Sequence, residues 1–115
     1  MRSLDLAWDR ARILREWRSW ADRIARAAER VLGKGLTGVF VFGSAVSGGI
    51  VASSDVDILI VAGNLPRLAS ARSELKRRIL EEAGLPLVHP FEIHLVDGEE
   101  ALIYFDHIRE LLKLR

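Results

Sequence analysis

The 115-residue sequence has no cysteine, which excludes a disulfide framework, thiolate metal sites and a cysteine nucleophile. That absence fits a reducing compartment. No apolar run approaches the roughly 18 residues of a membrane-spanning helix, and the first residues, MRSLDLAWDRAR, are too charged for a secretory signal. The expectation is a soluble, cytoplasmic protein with no membrane partner. An excess of either charge is lacking as well: 17 Lys and Arg offset 16 Asp and Glu, for a formal net charge of +1. Such a balance makes no case for strong nucleic-acid binding. No repeat, low-complexity tract or linker breaks the chain. What is there is half hydrophobic and 29% charged, the composition of a globular domain. A chain of this length buries roughly two-thirds of its unfolded surface, enough for one core, and residues 1–115 read as a single domain.

Residues 4–33 hold no glycine or proline before Gly33, and Ile13, Trp17, Trp20, Ile24, Ala28 and Val31 recur in steps of three and four. This is the stripe of one long amphipathic helix with an Arg-rich opposite face. The plainer use of the stripe is core packing; its tryptophans would also suit a partner surface. TGVFVFG, 37–43, is a β-branched and aromatic run bounded by glycines, hence a strand. SAVSGGIVASS reads as a tight turn with one helical turn inside it, and DVDILIVAG, 55–63, as a second strand. A helix is expected from Pro66 to Ala83, closed by Gly84 and Pro86. PFEIHLVDG, 90–98, alternates and gives a third strand. Residues 99–115 read as a C-terminal helix, with Glu99 and Glu100 at its positive end. About eleven residues join the first two strands, too few for a comfortable crossover. An α/β chain of the α+β kind is therefore expected, an antiparallel or mixed sheet with helices packed on it.

Chemistry concentrates around the second strand. On a strand, residues i and i+2 share a face, so Asp55 and Asp57 are expected side by side. Like charges so placed repel, and a divalent cation between them relieves the repulsion. The plainer readings are a water-exposed strand face or a turn-capping Asp55. Gly43 and Ser44 end the preceding strand. There a missing side chain lets backbone amides approach an anion, a hydroxyl adds a donor, and a following helical turn would aim its positive end at phosphate. This is not a Walker A loop, since the chain has no Gly-Lys-Ser or Gly-Lys-Thr. Glu92, between Phe91 and Ile93, would join the two aspartates if its strand lies beside 55–63. Three converging acids suit two divalent ions, one activating a hydroxyl and the other holding a triphosphate, with Glu92 as ligand or proton acceptor. Otherwise Glu92 is an ordinary outward-facing residue. His94 shares its face and reads as a hydrogen-bonded structural histidine more readily than as a ligand, while His89 and His107 have no spacing that makes a site.

Taken together, VFGSAVSGGIVASSDVDILIV with FEI downstream resembles the DNA polymerase beta nucleotidyltransferase superfamily. The pattern of that superfamily is a hydrophobic residue, Gly-Ser, a spacer of about ten, Asp-x-Asp between hydrophobics, and later an acidic residue between hydrophobics. The resemblance covers residues 39 to about 97, and the size is similar to that of the minimal nucleotidyltransferases. It implies a mixed sheet flanked by helices, and transfer of a nucleoside monophosphate (AMP from ATP) to a hydroxyl. By position, Gly43 and Ser44 would contact the triphosphate, Asp55 and Asp57 would hold magnesium, two Mg2+ ions in all, and Glu92 would be the third acid. Many minimal members pair with a small helical HEPN-type protein as antitoxin to its RNase toxin, and some transfer AMP onto it. A HEPN-type partner is therefore implied.

The sequence departs from the pattern in one place. Many minimal members carry Arg before the following glycine, in a stretch like GSxARG, whereas GSAVSGG has Ser47 there. A cation facing the triphosphate is then missing, for which Lys76, Arg77 or a partner chain would have to substitute. A second reading of the chain is a non-catalytic binding subunit, an antitoxin that masks a helical partner. The small surface left for an acceptor points to a homodimer or a heteromeric complex.

Overall fold

The computed structural model describes residues 3–51 and 53–115, with side chains from residue 8 onward within those ranges. Helices α1 (Ser3–Arg15) and α2 (Trp17–Leu32) lead through a 3-10 turn (Gly33–Gly35) into strand β1 (Leu36–Phe42). The short α3 (Ser44–Ser47), β2 (Val56–Ala62), α4 (Ala69–Ala83), β3 (Phe91–Val96), α5 (Gly98–His107) and β4 (Leu112–Lys113) follow. The sheet order is β3-β2-β1-β4. β1 is antiparallel to both β2 and β4, whereas β2 and β3 run parallel. The expected mixed sheet is present. A parallel pair needs a crossover of a dozen or more residues, which α4 and its flanks supply.

The expected helix over 4–33 is broken at Glu16, whose φ of −103° and ψ of 26° leave the helical region. Its amide is shared between the carbonyls of Arg12 and Ile13, both at 3.1 Å, the tightened geometry in which a helix turn ends. No glycine or proline marks the spot, so the sequence carries no breaker to see. The apolar stripe nevertheless runs across the break. Ile13, Trp17, Ile24 and Ala28 are buried, and Trp20 and Val31 pack against the same core. Arg23 lies over the Trp20 ring, 4.4 Å from its centroid. The stripe is a core surface, not a free partner surface.

The two faces of the sheet are both covered. Val39, Val41, Val56, Ile58, Ile60, Ile93 and Leu95 form one core with α1, α2 and α4. Leu59, Val61 and Val96 form a smaller one with Phe40, Phe42, Ala101 and Tyr104, under α5. This double coverage accounts for the near-continuous apolar run of β2. Among the described residues no helix is long and apolar enough to cross a membrane.

The expected C-terminal helix 99–115 stops early. Its start is strong: Asp97 and Glu100 form a reciprocal capping box, and Arg72 from α4 binds Glu100 at 2.7 Å. After His107 the chain turns extended at Ile108, and Leu112 and Lys113 pair with Val41 and Phe40. The Leu114 amide donates to the Val39 carbonyl at 2.8 Å, and Arg115 is held by Glu29 of α2. The physical reason is the free edge of β1. Its unpaired amides and carbonyls need partners, and this long-range demand overrides the helical propensity of LLKLR.

Ile58 is fully buried and Leu87 is 89% exposed. Ile58→Ala should lower unfolding free energy by about 2–5 kcal/mol, and Leu87→Ala by less than about 0.5 kcal/mol. Urea unfolding of both variants checks this.

Candidate active site

Three neighbouring strands place polar groups at one end of the sheet. In the antiparallel pair Phe42 stands opposite Asp57, and in the parallel pair Asp57 stands beside Glu92, with Leu59 beside His94. Residues in direct register share a face, so Asp57, Glu92 and His94 project together on the side of α5. One ligand atom from each lies within 4.8 Å of the other two. The two carboxylates are oxygen donors suited to a divalent ion.

Asp57 and His94 are half-buried and linked, with His94 Nε2 at 3.1 Å from Asp57 Oδ1. An ionised carboxylate only accepts, so Nε2–H donates. In the neutral ring Nδ1 is then an acceptor for the Tyr104 hydroxyl, 3.1 Å away. Phe42 and Tyr104 pack on the imidazole at centroid distances of 5.2 and 5.4 Å. The result is a Tyr104–His94–Asp57 chain that fixes the carboxylate. The sequence reading of His94 as a hydrogen-bonded histidine matches this contact; its closeness to Asp57 and Glu92 required the β2–β3 register.

Gly43 is needed for space. Its φ is +81°, and a Cβ built there would stand 2.5 Å from Asp57 Oδ2. Only glycine allows this backbone and this carboxylate together. Ser44 follows as the first residue of α3. The opening amides of such a turn have no intrahelical carbonyl to reach. A cavity of about 580 Å3 lies against this turn, lined by Phe42, Gly43, Ser47 and Tyr104 and by residues 107–110.

Asp55 is placed differently from the expectation. It precedes β2, where strand alternation does not bind it, and its carboxylate pairs with Arg10 of α1 at 3.0 Å. Arg10 also donates to the Ser54 carbonyl at 2.8 Å. The structure thus brings Asp57 and Glu92 together with His94 and holds Asp55 on Arg10. Lys76 and Arg77 line a second cavity, about 450 Å3, beside Glu92. Arg77 is occupied there by Glu74, at 2.7 Å, and by Glu81.

The sequence profile of the nucleotidyltransferase domain family matches residues 22–115. The chain belongs to this family. Over 77 residues the nucleotidyltransferase domain is 35% identical to a spectinomycin 9-adenylyltransferase of Staphylococcus aureus, a match covering 63% of this chain and 29% of that one. It therefore spans under a third of that relative. In fold the domain is similar to a crystal structure described as a nucleotidyltransferase, with a TM-score of 0.61, 22% identity and coverage of 80% of this chain and 94% of that one. It is also similar to a chain in the complex of tri-AMPylated HEPN toxin with MNT antitoxin from Shewanella oneidensis. There the TM-score is 0.54 and the identity 20%, over 85% of this chain and 71% of that one.

Two outcomes follow from this geometry. Gly43 and Gly48 both have positive φ, but a Cβ at Gly48 meets nothing within 4 Å. Gly43→Ala and Gly48→Ala should each cost about 1–3 kcal/mol of strain, while only Gly43→Ala should displace Asp57 and remove the hydrogen-bonded His94 Nε2–H signal in NMR. Separately, burial and then the nearby Arg10 charge lower the pKa of His89, whose Nδ1 accepts from the Phe91 amide at 3.1 Å. The unfolded state then binds the proton more readily. The stability His89 contributes is complete above the ordinary value near ~6.5 and is lost as pH falls below it. His89→Asn, which keeps an acceptor but does not titrate, should flatten that part of a stability-against-pH curve.

Proposed function

We propose that this domain transfers a nucleoside monophosphate, AMP from ATP, to a hydroxyl acceptor carried by a partner protein. The observation that carries the reading is the in-register pair Asp57 and Glu92, with ligand atoms within 4.8 Å of each other and of His94, next to the Gly43 turn. Two carboxylates held this close repel, and this donor set fits divalent ions such as Mg2+. Asp57 and Glu92 would hold them, joined by Asp55 if it leaves Arg10; two ions are the proposed number. When bound, such ions neutralise triphosphate charge and make an acceptor hydroxyl easier to deprotonate.

The chain's own residues supply the rest. Gly43 and Ser44 present backbone amides and a hydroxyl to the phosphates. His94, braced by Tyr104, holds Asp57 in one orientation. Glu92, exposed at the sheet edge, would accept the hydroxyl proton. The adenylyltransferase relative supports ATP as donor, and the AMPylated toxin complex supports a HEPN-type protein as acceptor.

A non-catalytic subunit that masks a helical partner is the second reading. Ser47 favours it, as does the exposed apolar surface of Leu102, Ile103, Leu111 and Leu112. Calorimetric titration of ATP, with and without Mg2+, separates the readings when paired with transfer of labelled AMP to a co-expressed HEPN-type protein. Wild type should bind ATP in a Mg2+-dependent way and label the partner. Asp57→Ala and Glu92→Gln should lower transfer by about 100-fold or more. Equal nucleotide binding by wild type and Asp57→Ala would sink the catalytic reading, and unimpaired neutralisation by Asp57→Ala would establish masking.

A further inference from the structure

We propose that Arg109 is the cation that faces the triphosphate in this protein, in place of the arginine absent at position 47. The inference rests on the nucleotide-binding reading above and adds a residue to it. Ser47 and Arg109 line the same cavity of about 580 Å3, together with Gly43 of the turn and Glu110. An arginine side chain at 47 and the native one at 109 would therefore serve one volume.

The placement of Arg109 is imposed by the fold. The segment that carries it is tied at both ends. At one, the Ile108 amide donates to the Tyr104 carbonyl at 3.0 Å. At the other, Leu112 and Lys113 are paired on β1. Arg109 thus lies on the non-helical segment between α5 and β4, and that segment lines the cavity.

The charge is also available. Arg10, Arg72, Arg77 and Arg115 are all engaged with carboxylates. Arg109 has no ion pair among the described residues, although Glu110 lines the same cavity. Of the other polar lining, His107 is committed through Nδ1 to the Ile103 carbonyl at 2.8 Å. Lys76 and Arg77, the substitutes suggested by sequence, open on the separate cavity beside Glu92. A guanidinium binds phosphate oxygens in a bidentate fork, so a polyphosphate is the ligand chemistry this wall recognises. Glu110 opposes it and sets a limit on affinity.

The test compares ATP with adenosine by calorimetry on wild type, Arg109→Gln, Arg109→Lys and the double variant Arg109→Gln/Ser47→Arg. Arg109→Gln should weaken ATP binding about 10- to 100-fold and leave adenosine within about twofold. Arg109→Lys should retain part of the affinity, and Ser47→Arg should restore ATP binding in the Arg109→Gln background. Matching circular dichroism melts show that each variant is folded, as expected for an exposed residue. Equal ATP affinity of wild type and Arg109→Gln overturns the assignment of Arg109 alone. No ATP binding by wild type overturns the nucleotide reading and this assignment together.

Discussion

Strand β2 runs through the centre of the molecule with helices over both faces, and Asp57 is its one polar side chain. A half-buried carboxylate in such a strand carries a desolvation cost that its neighbours have to offset. Much of the surrounding structure answers that demand. His94 donates to one oxygen, Tyr104 braces His94, and Gly43 withholds a side chain from the space the other oxygen occupies. Glu92 does the opposite: it brings a second negative charge into register beside the first. One imidazole N–H offsets one carboxylate, not two. A bound cation would make the pairing favourable, and this imbalance is the physical argument behind the proposed metal dependence.

The central strands and the acidic residues were legible in the sequence because their signals are local. Apolar runs bounded by glycines marked β1 and β2, and alternation around FEIHLV put Glu92 and His94 on one face. What could not be read was set by long-range pairing. The parallel register of β2 and β3, which brings His94 to Asp57, follows from the α4 crossover and has no local signature. The extended tail follows from the unpaired edge of β1, while LLKLR read alone favours a helix. Asp55 shows a third kind of limit. Its i, i+2 relation to Asp57 presumes a strand, and the strand begins one residue later, which frees Asp55 to meet Arg10.

The tail has consequences beyond closing the sheet. β4 covers the edge of β1, Arg115 ties the end of the chain to Asp22 and Glu29 on α2, and the intervening residues roof the cavity at Gly43. An edge-protecting strand and a cavity wall are thus consecutive pieces of one segment. Changes that loosen β4 would act on the site through the segment 108–111, which carries Arg109 and Glu110, and not through Asp57 or Glu92. This coupling also separates two properties of α5: its buried side packs on Leu59 and Val96, while Leu102 and Ile103 remain outside.

Direction of attack is the last constraint that the proposed chemistry places on this geometry. In phosphoryl and nucleotidyl transfer the attacking and leaving oxygens lie roughly in line across phosphorus. On the proposed reading the leaving pyrophosphate rests on the side of Gly43 and Arg109, so the acceptor hydroxyl has to arrive from the opposite side of the acids. Glu92 lies there, exposed at the open edge of β3 with a second cavity of about 450 Å3 beside it. Asp57, by contrast, sits on β2 between β1 and β3 and is hydrogen-bonded by His94. The division of labour follows from position: Asp57 suits a fixed role toward ion and nucleotide, and Glu92 suits contact with the incoming hydroxyl. On the proposed reading, an acceptor presented on the surface of another protein would reach that edge without entering the core, which makes a domain of this size compatible with group transfer.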